Sequence, residues 1–246
     1  MNKSYKLILG DCLEKMKDIG DKSIDMILCD LPYGVTACKW DTVISFVPLW
    51  EHYNRIIKNN GAIVLFGSEP FSSALRMSNI KNYRYDWIWE KEQGTGNLTA
   101  NKMPLKKTEN ILVFYKKLPT YNPQMTEGKP YTIKRPYNSN EIFGGKTGTK
   151  DGYITKNKGL RYPTNILKFN RELKNRLHPT QKPVALLEYL IKTYTNEGEV
   201  ILDNCMGSGS SGVACLNTNR KFIGIEKDEN YFNLAKERIE SHVINR

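Results

Sequence analysis

Four acids in this chain each close a short apolar run. Asp11 follows "LILG", Asp30 follows "DMILC", Asp203 ends "EVILD" and Glu226 ends "KFIGIE". Short apolar runs bounded by turn formers read as strands buried on both faces. If those strands are parallel, their C-terminal ends share one edge. Four carboxylates from distant parts of the chain then line a single crevice. Taken singly, such an acid is an ordinary helix cap or turn former. Four on one edge define a ligand site. Two of the acids also open motifs. Asp30 begins "DLPY", residues 30–33, where Pro32 stiffens the turn and Tyr33 keeps an aromatic ring beside the carboxylate. Asp203 begins "DNCMGSGSSG", residues 203–212, in which Gly207, Gly209 and Gly212 match G-x-G-x-x-G. Glycines placed after a strand let a ligand approach the backbone. Glu226, 19 residues past Gly207, stands where an acid meets ribose hydroxyls.

The glycine pattern alone would serve NAD equally well. Against NAD, Asp203 would stand beside a pyrophosphate and repel it. The 34 residues after Gly212 are also too few for a second mononucleotide-binding half. A cofactor with a ribose, an adenine and a positive centre fits better. S-adenosylmethionine carries a sulfonium and an ammonium, and carboxylates suit both.

The elements that must position these residues follow from periodicity. "YKLILGD", "SIDMILCD", "AIVLFG", "YDWIWEK", "ENILVFYKK", "EVILDNC" and "KFIGIE" read as strands. Helices are predicted at "CLEKMKDI", near 69–78, at "PVALLEYLIKTYT", after the glycine loop and over 228–241. A further helix is predicted in "SFVPLWEHYNRIIKNNG", with Val47, Trp50, Tyr53, Ile56 and Ile57 at helical spacing and an end at Gly61. Strand–helix alternation predicts an α/β fold, a mostly parallel sheet flanked by helices. Residues 118–176 lose periodicity but keep their aromatics, so they read as an inserted module between a body formed by 1–117 and 177–246.

Of the 246 residues, 39% are hydrophobic, and the net charge is +11. Its distribution is uneven: residues 91–182 hold 19 Lys and Arg against 6 acids. A basic middle with interleaved tyrosines suits a polyanion, nucleic acid above all. No 18-residue apolar run occurs and acids come early, so neither a membrane span nor a signal peptide is expected. Cys12, Cys29, Cys38, Cys205 and Cys215 lack CxxC pairing and read as buried free thiols in a reducing compartment. His52, His178 and His242 lie far apart, and no metal site is expected.

With these motifs in place, the chain resembles the amino-methyltransferases of DNA. "DLPY" matches their catalytic tetrad and "CMGSG" (205–209) their cofactor loop. "HPTQKP" (178–183) and "GD" (10–11) match as well, in the order of the permuted beta class, with the recognition region between tetrad and cofactor loop. Leu31 replaces the first proline of the tetrad, and Asn204-Cys205 stand where Pro-Phe is usual. The resemblance implies a Rossmann-like, S-adenosylmethionine-dependent fold with an inserted target-recognition module. It implies a bacterial or phage enzyme of the cytoplasm, part of a restriction-modification setting, with double-stranded DNA as partner and a second copy of the chain as a candidate partner. Asp30 and the main-chain carbonyl of Leu31 would accept hydrogen bonds from an exocyclic amine, with Pro32 holding that carbonyl. Tyr33 would stack on the extruded base. Asp11 and Cys12 would meet the cofactor's adenine and Glu226 its ribose. Asp203, Asp30, Gly207, Ser208 and Gly209 would surround its methionine part, and Thr180 and Lys182 would approach its carboxylate. Trp40 would wall the base pocket. Lys129, Lys134, Arg135, Lys146, Lys156 and Lys158 of the insert would meet DNA.

In the family that the chain resembles, an acid at the head of the tetrad goes mostly with N6 of adenine and Ser with N4 of cytosine, so the resemblance favours adenine, with N4 of cytosine as the alternative. Two other readings compete with an amino-methyltransferase of DNA. One is an inactive DNA-binding module, which the intact acids oppose. The other is methylation of another amide or amine, which the basic middle opposes.

Overall fold

The computed structural model describes residues 4–34, 41–135, 138–140, 145–147, 153–172 and 181–244. It contains two compact units, 1–122 with 165–246, and 123–164.

The first unit opens with strand β1 (Tyr5–Leu9), helix α1 (Cys12–Lys15) and strand β2 (Ile24–Cys29). Helix α2 (Phe46–Ile56) leads into β3 (Ile57–Gly67) and α3 (Phe71–Ser78). A long hairpin comes next, β4 (Tyr83–Thr95) and β5 (Lys106–Phe114). In the second unit lie β6 (Thr126–Glu127), β7 (Tyr131–Arg135), β8 (Asn138–Asn140), β9 (Gly145–Thr147), β10 (Tyr153–Asn157) and β11 (Leu160–Arg161). The chain returns to the first unit with β12 (Ile166–Lys168), α4 (Val184–Tyr194), β13 (Val200–Asp203), α5 (Ser210–Asn217), β14 (Lys221–Glu226) and α6 (Glu229–Ile244).

Among the described residues, eight strands form one sheet in the order β1-β14-β13-β2-β3-β5-β4-β12. Every pairing in it is parallel except the two made by β5. The apolar runs are uninterrupted because the sheet is covered twice. Met26, Leu28, Ala62, Val64 and Phe66 join a cluster with Leu186 and Leu190 of α4, Val213 of α5 and Ile239 of α6. Their neighbours Ile27, Cys29, Ile63 and Leu65 join another, with Met16, Tyr53 and Ile56 of the α1–α2 side and Leu75 of α3. Leucines such as Leu65 and Leu190 are fully buried, each contributing about 1.5–3 kcal/mol of transfer free energy. The expected α/β architecture with a mainly parallel sheet is the one observed.

The end of one helix differs from expectation. Helix α2 stops at Ile56 and does not run to Gly61. Ile57 is already extended (φ −70°, ψ 138°) and pairs with Ile24. Gly61 sits where the β2–β3 register shifts, and a Cβ there would lie 2.8 Å from the Asp25 carbonyl oxygen. Its glycine marks a close approach of two strands, not a helix stop.

The second unit is built from short antiparallel pairs, β7 with β10, β8 with β9 and β6 with β11. The Arg161 guanidinium lies over the Tyr131 ring, 4.7 Å from its centroid. No helix among the described residues is long and apolar enough to cross a membrane.

Candidate active site

β1, β14, β13 and β2 are consecutive neighbours in the sheet and run parallel, so the four acids do converge on one edge. A cleft of about 600 Å³ opens there, bordered by Asp11, Asp30, Asp203 and Glu226.

Each acid also holds local structure. Asp11 caps α1, its Oδ1 accepting from the Leu13 N–H at 2.9 Å and, more weakly, the Glu14 N–H. Glu226 accepts from the Gly207 N–H and the Asp228 N–H, both at 2.9 Å, which ties the glycine loop to the end of β14. Asp203 accepts from the Ser211 hydroxyl at 2.5 Å and the Cys205 N–H at 3.1 Å. Burial pushes its carboxyl up to about 6, against those two hydrogen bonds. In every case lone pairs remain for a ligand. The wall is rich in acceptors, a chemistry that fits a cofactor with hydroxyls and positive centres and opposes phosphates.

Gly207 adopts a left-handed φ of +51° and borders the cleft with Ser208. Gly209 and Gly212 make room for a helix: an added Cβ would meet Ala235 of α6 at 3.0 Å or Ile239 at 2.5 Å. Of the three glycines in the motif, the first therefore lies against the cleft and the other two do not.

The tetrad sits opposite the loop. Asp30 Oδ1 accepts from the Tyr33 hydroxyl at 2.6 Å, and Oδ2 pairs with the Lys182 ammonium at 2.6 Å. Lys182 also lies 3.3 Å from Glu109 Oε2, and Lys91 pairs with the other Glu109 oxygen. Tyr33 stacks on Phe71, with centroids 5.0 Å apart. Leu31 is buried, and Leu31, Pro32, Phe66 and Trp89 supply apolar wall. Burial lifts the Asp30 carboxyl above the ordinary aspartate range, against the pull of Lys182. Lys182 is held above the usual lysine range: burial opposes its charge, but Asp30 and Glu109 outweigh burial. The Cys29 thiol is pushed up to about 12 by burial, so it presents no thiolate nucleophile at neutral pH.

Asp11, Cys12, Asp30, Leu31, Pro32, Tyr33, Lys182, Asp203, Gly207, Ser208 and Glu226 are thus brought to one cleft. Gly209 faces α6, and Thr180 and Trp40 lie outside the described residues. Lys129, Lys134, Lys156 and Lys158 belong to the second unit and are exposed; Arg135 and Lys146 lie on β7 and β9. Sequence reasoning missed Glu109, Lys91 and Gln181, which donates to Glu172 at 2.7 Å on the cleft wall. Glu109 precedes its apolar run because β5 is antiparallel, so its N-terminal end reaches the edge where the other strands finish.

A parallel α/β sheet with a glycine loop after β13 and carboxylates along one edge defines the class, a methyltransferase fold for an S-adenosylmethionine-like cofactor. A family model described as DNA methylase, for N6 and N4 methyltransferases, matches residues 24–237, and the chain belongs to that family. It is a DNA methyltransferase of the N6/N4 family, whose methyl donor is S-adenosylmethionine. It is 29% identical to the type II methyltransferase M.HpaI of Haemophilus parainfluenzae, over 96% of this chain and 74% of that protein. It is 28% identical to the DNA adenine methyltransferase YhdJ of Escherichia coli, over 97% of this chain and 84% of that protein. A crystal structure of M1.HpyAVI with SAM matches at a TM-score of 0.63 and 27% identity, covering 95% of this chain and 99% of that one. The cytosine-N4-specific PvuII DNA methyltransferase shares the fold at a TM-score of 0.70 and 15% identity, over 99% of this chain and 92% of that one.

Proposed function

We propose that this protein methylates the N6 amine of adenine in double-stranded DNA, on a base turned out of the helix. The observation that carries this reading is Asp30 at the head of the tetrad, a carboxylate at the cleft edge among apolar walls. The likeness to YhdJ, named an adenine methyltransferase, supports it, and likeness to M.HpaI supports a restriction-modification setting.

The bound cofactor supplies an electrophilic methyl group. Asp11 and the Cys12 backbone meet its adenine, Glu226 its ribose, and Asp203 with the Gly207–Ser208 turn its methionine part. The exocyclic amine is a poor nucleophile because its lone pair is delocalised into the ring. Asp30 and the Leu31 carbonyl accept hydrogen bonds from its two N–H groups, which favours the pyramidal nitrogen of the transition state over the flat ground state. The one proton that the nitrogen sheds on gaining the methyl leaves by way of Asp30 to solvent. Lys182 opposes the effect of burial on the Asp30 carboxyl and aims it through their 2.6 Å contact. Tyr33 steadies the same carboxylate through its hydroxyl and offers its ring to the base.

Labelled cofactor incubated with unmethylated DNA, followed by nucleoside analysis, tests the reading. N6-methyladenine is expected; N4-methylcytosine would transfer the mechanism to the other amine, and no labelled base would end it.

The raised Asp203 carboxyl makes a pH prediction. Its protonated form is favoured below about pH 6, and a cationic ligand requires the ionised form. Cofactor affinity should therefore fall about tenfold per pH unit below that value until the bound form protonates too. Calorimetry from pH 8 to pH 5 reads this. Asp203→Asn should bind weakly with a much flatter profile, and an unaltered slope in that variant would assign the titration elsewhere.

The insert makes a second prediction. Replacing Lys129, Lys134, Arg135, Lys146, Lys156 and Lys158 with Gln in groups should flatten the plot of log duplex affinity against log salt. The slope should change by about 0.9 for each phosphate no longer neutralised. Cofactor affinity should stay constant. A slope equal to that of the parent protein would remove the insert from the DNA interface.

A further inference from the structure

The tip of the β4–β5 hairpin carries an apolar side chain that the fold leaves in water. β4 is antiparallel to β5, which is antiparallel to β3, so β4 ends on the same edge as β2, β13 and β14. Its last residue, Thr95, borders the cleft. The turn beyond it, Gly96 to Leu105, therefore projects from the cleft edge.

That turn is built, not slack. Gly96 enters it at φ +100°, a conformation that side chains rarely adopt. Thr99 and Lys102 N–H groups donate to the Gly96 and Thr99 carbonyls at 3.0 and 2.8 Å, closing a short 3₁₀ turn over Asn97–Thr99. Leu105 packs against Gly94, where a Cβ would lie 2.7 Å away. The strand leading in carries a register shift between Glu90 and Thr95, a device that redirects the chain beyond it. Leu98 is 99% exposed, and Met103 of the same turn is 58% exposed. Leaving a leucine in water forgoes the stabilisation its burial would bring, so an ordered turn that does so fits a contact made with a partner.

The charge around it identifies the partner. Residues 93–108 contain Lys102, Lys106 and Lys107 and no acid. Lys107 pairs with Glu90 at 2.9 Å and Lys106 is held by the Ser68 hydroxyl, which leaves Lys102, an exposed residue nearer the apex, to face an anion. An apolar tip rimmed by cations at the mouth of a base pocket matches a nucleic-acid duplex, whose stacked bases accept an apolar wedge and whose phosphates flank it.

We propose that the β4–β5 turn is a duplex wedge: Leu98 enters the base stack beside the target and Lys102 takes a flanking phosphate. The proposal rests on the reading that the substrate is a base within double-stranded DNA. It adds how the vacated or opened stack is filled while that base occupies the cleft.

Leu98→Ser, Leu98→Met and Lys102→Gln test it, using duplex DNA from a methylation-free host. Leu98→Ser should lose about tenfold or more in methyl transfer, a fraction of the cost of unstacking a base step. Its cofactor affinity should match the parent protein's. Leu98→Met, which keeps an apolar wedge, should stay within about threefold of the parent rate. Lys102→Gln should reduce the salt slope of duplex affinity by about 0.9. Parent-level transfer by Leu98→Ser, or Leu98→Met as poor as Leu98→Ser, would overturn the wedge. So would an unchanged slope in Lys102→Gln. If the parent protein transfers no methyl to any DNA, the functional reading fails; the Lys102 slope, which needs no turnover, still decides whether the turn meets a duplex.

Discussion

Asp30→Ala should lower methyl transfer by about 100–1,000-fold, the loss seen when one preorganised partner of a developing charge is removed. The variant should remain folded and still bind DNA. Asp30 sits at the end of β2 with its side chain 24% accessible, facing the cleft, so truncation opens space toward solvent and not into the core. Its two partners, Tyr33 and Lys182, keep other neighbours: Phe71 under the ring and Glu109 beside the ammonium. Single-turnover rates at saturating cofactor separate chemistry from binding, since Asp30 also stands near the cofactor's methionine end. Transfer within a few fold of the parent protein would mean that the amine is met by other acceptors.

Lys182→Met should be damaging in two measurable ways. Lys182 is 7% exposed and stands between Asp30 and Glu109. Removing it leaves Asp30 with the Tyr33 hydroxyl and Glu109 with Lys91, and breaking a largely buried pair by deleting one partner costs about 3 kcal/mol or more. Chemical denaturation should report that loss. The second effect is on pH dependence. Burial already raises the Asp30 carboxyl, and Lys182 is its strongest opposing influence, so in its absence the carboxyl rises further. Transfer needs the ionised form and is lost as pH falls through that value, so the acid limb of the rate profile should move to higher pH. Activity lost on the acid side of the variant's profile should return as pH rises. A variant that is stable and keeps the parent's acid limb would assign Asp30's ionisation to another group.

Much of this site is legible in the amino-acid sequence, and the reason is topological. Parallel strands end on one edge, so an acid after an apolar run declares its location; Asp11, Asp30, Asp203 and Glu226 all obey that rule. Glu109 breaks it, because strand direction is not written in the run itself. "HPTQKP" places Lys182 near the cleft, but its bond to Asp30 spans 152 positions in sequence and forms only once α4, which follows Lys182, packs on the sheet beside β2. The glycine motif is plain to read, yet a letter pattern does not say what each missing Cβ spares. Gly207 borders the cleft, whereas Gly209 and Gly212 yield to α6. The end of α2 is misplaced by periodicity because Ile56, Ile57 and Gly61 satisfy a helix pattern and a strand pattern alike. The pairing of Ile57 with Ile24 decides between them.

The sheet order has a consequence for how the chain reaches its working state during synthesis. β1 is made before the other strands of the sheet, yet its partner is β14, whose residues 221–226 are made after all the others. Asp11 and Asp30 wait in the same way for Asp203 and Glu226. Until β13 and β14 leave the ribosome, β2 has one open side and β1 has no neighbour, so half of the cofactor wall does not exist. Such distant pairing makes for slow, late closure of the fold. A nascent chain halted before β13 should therefore carry its hairpin and its basic insert but bind no cofactor, and the enzyme gains its activity in one late event.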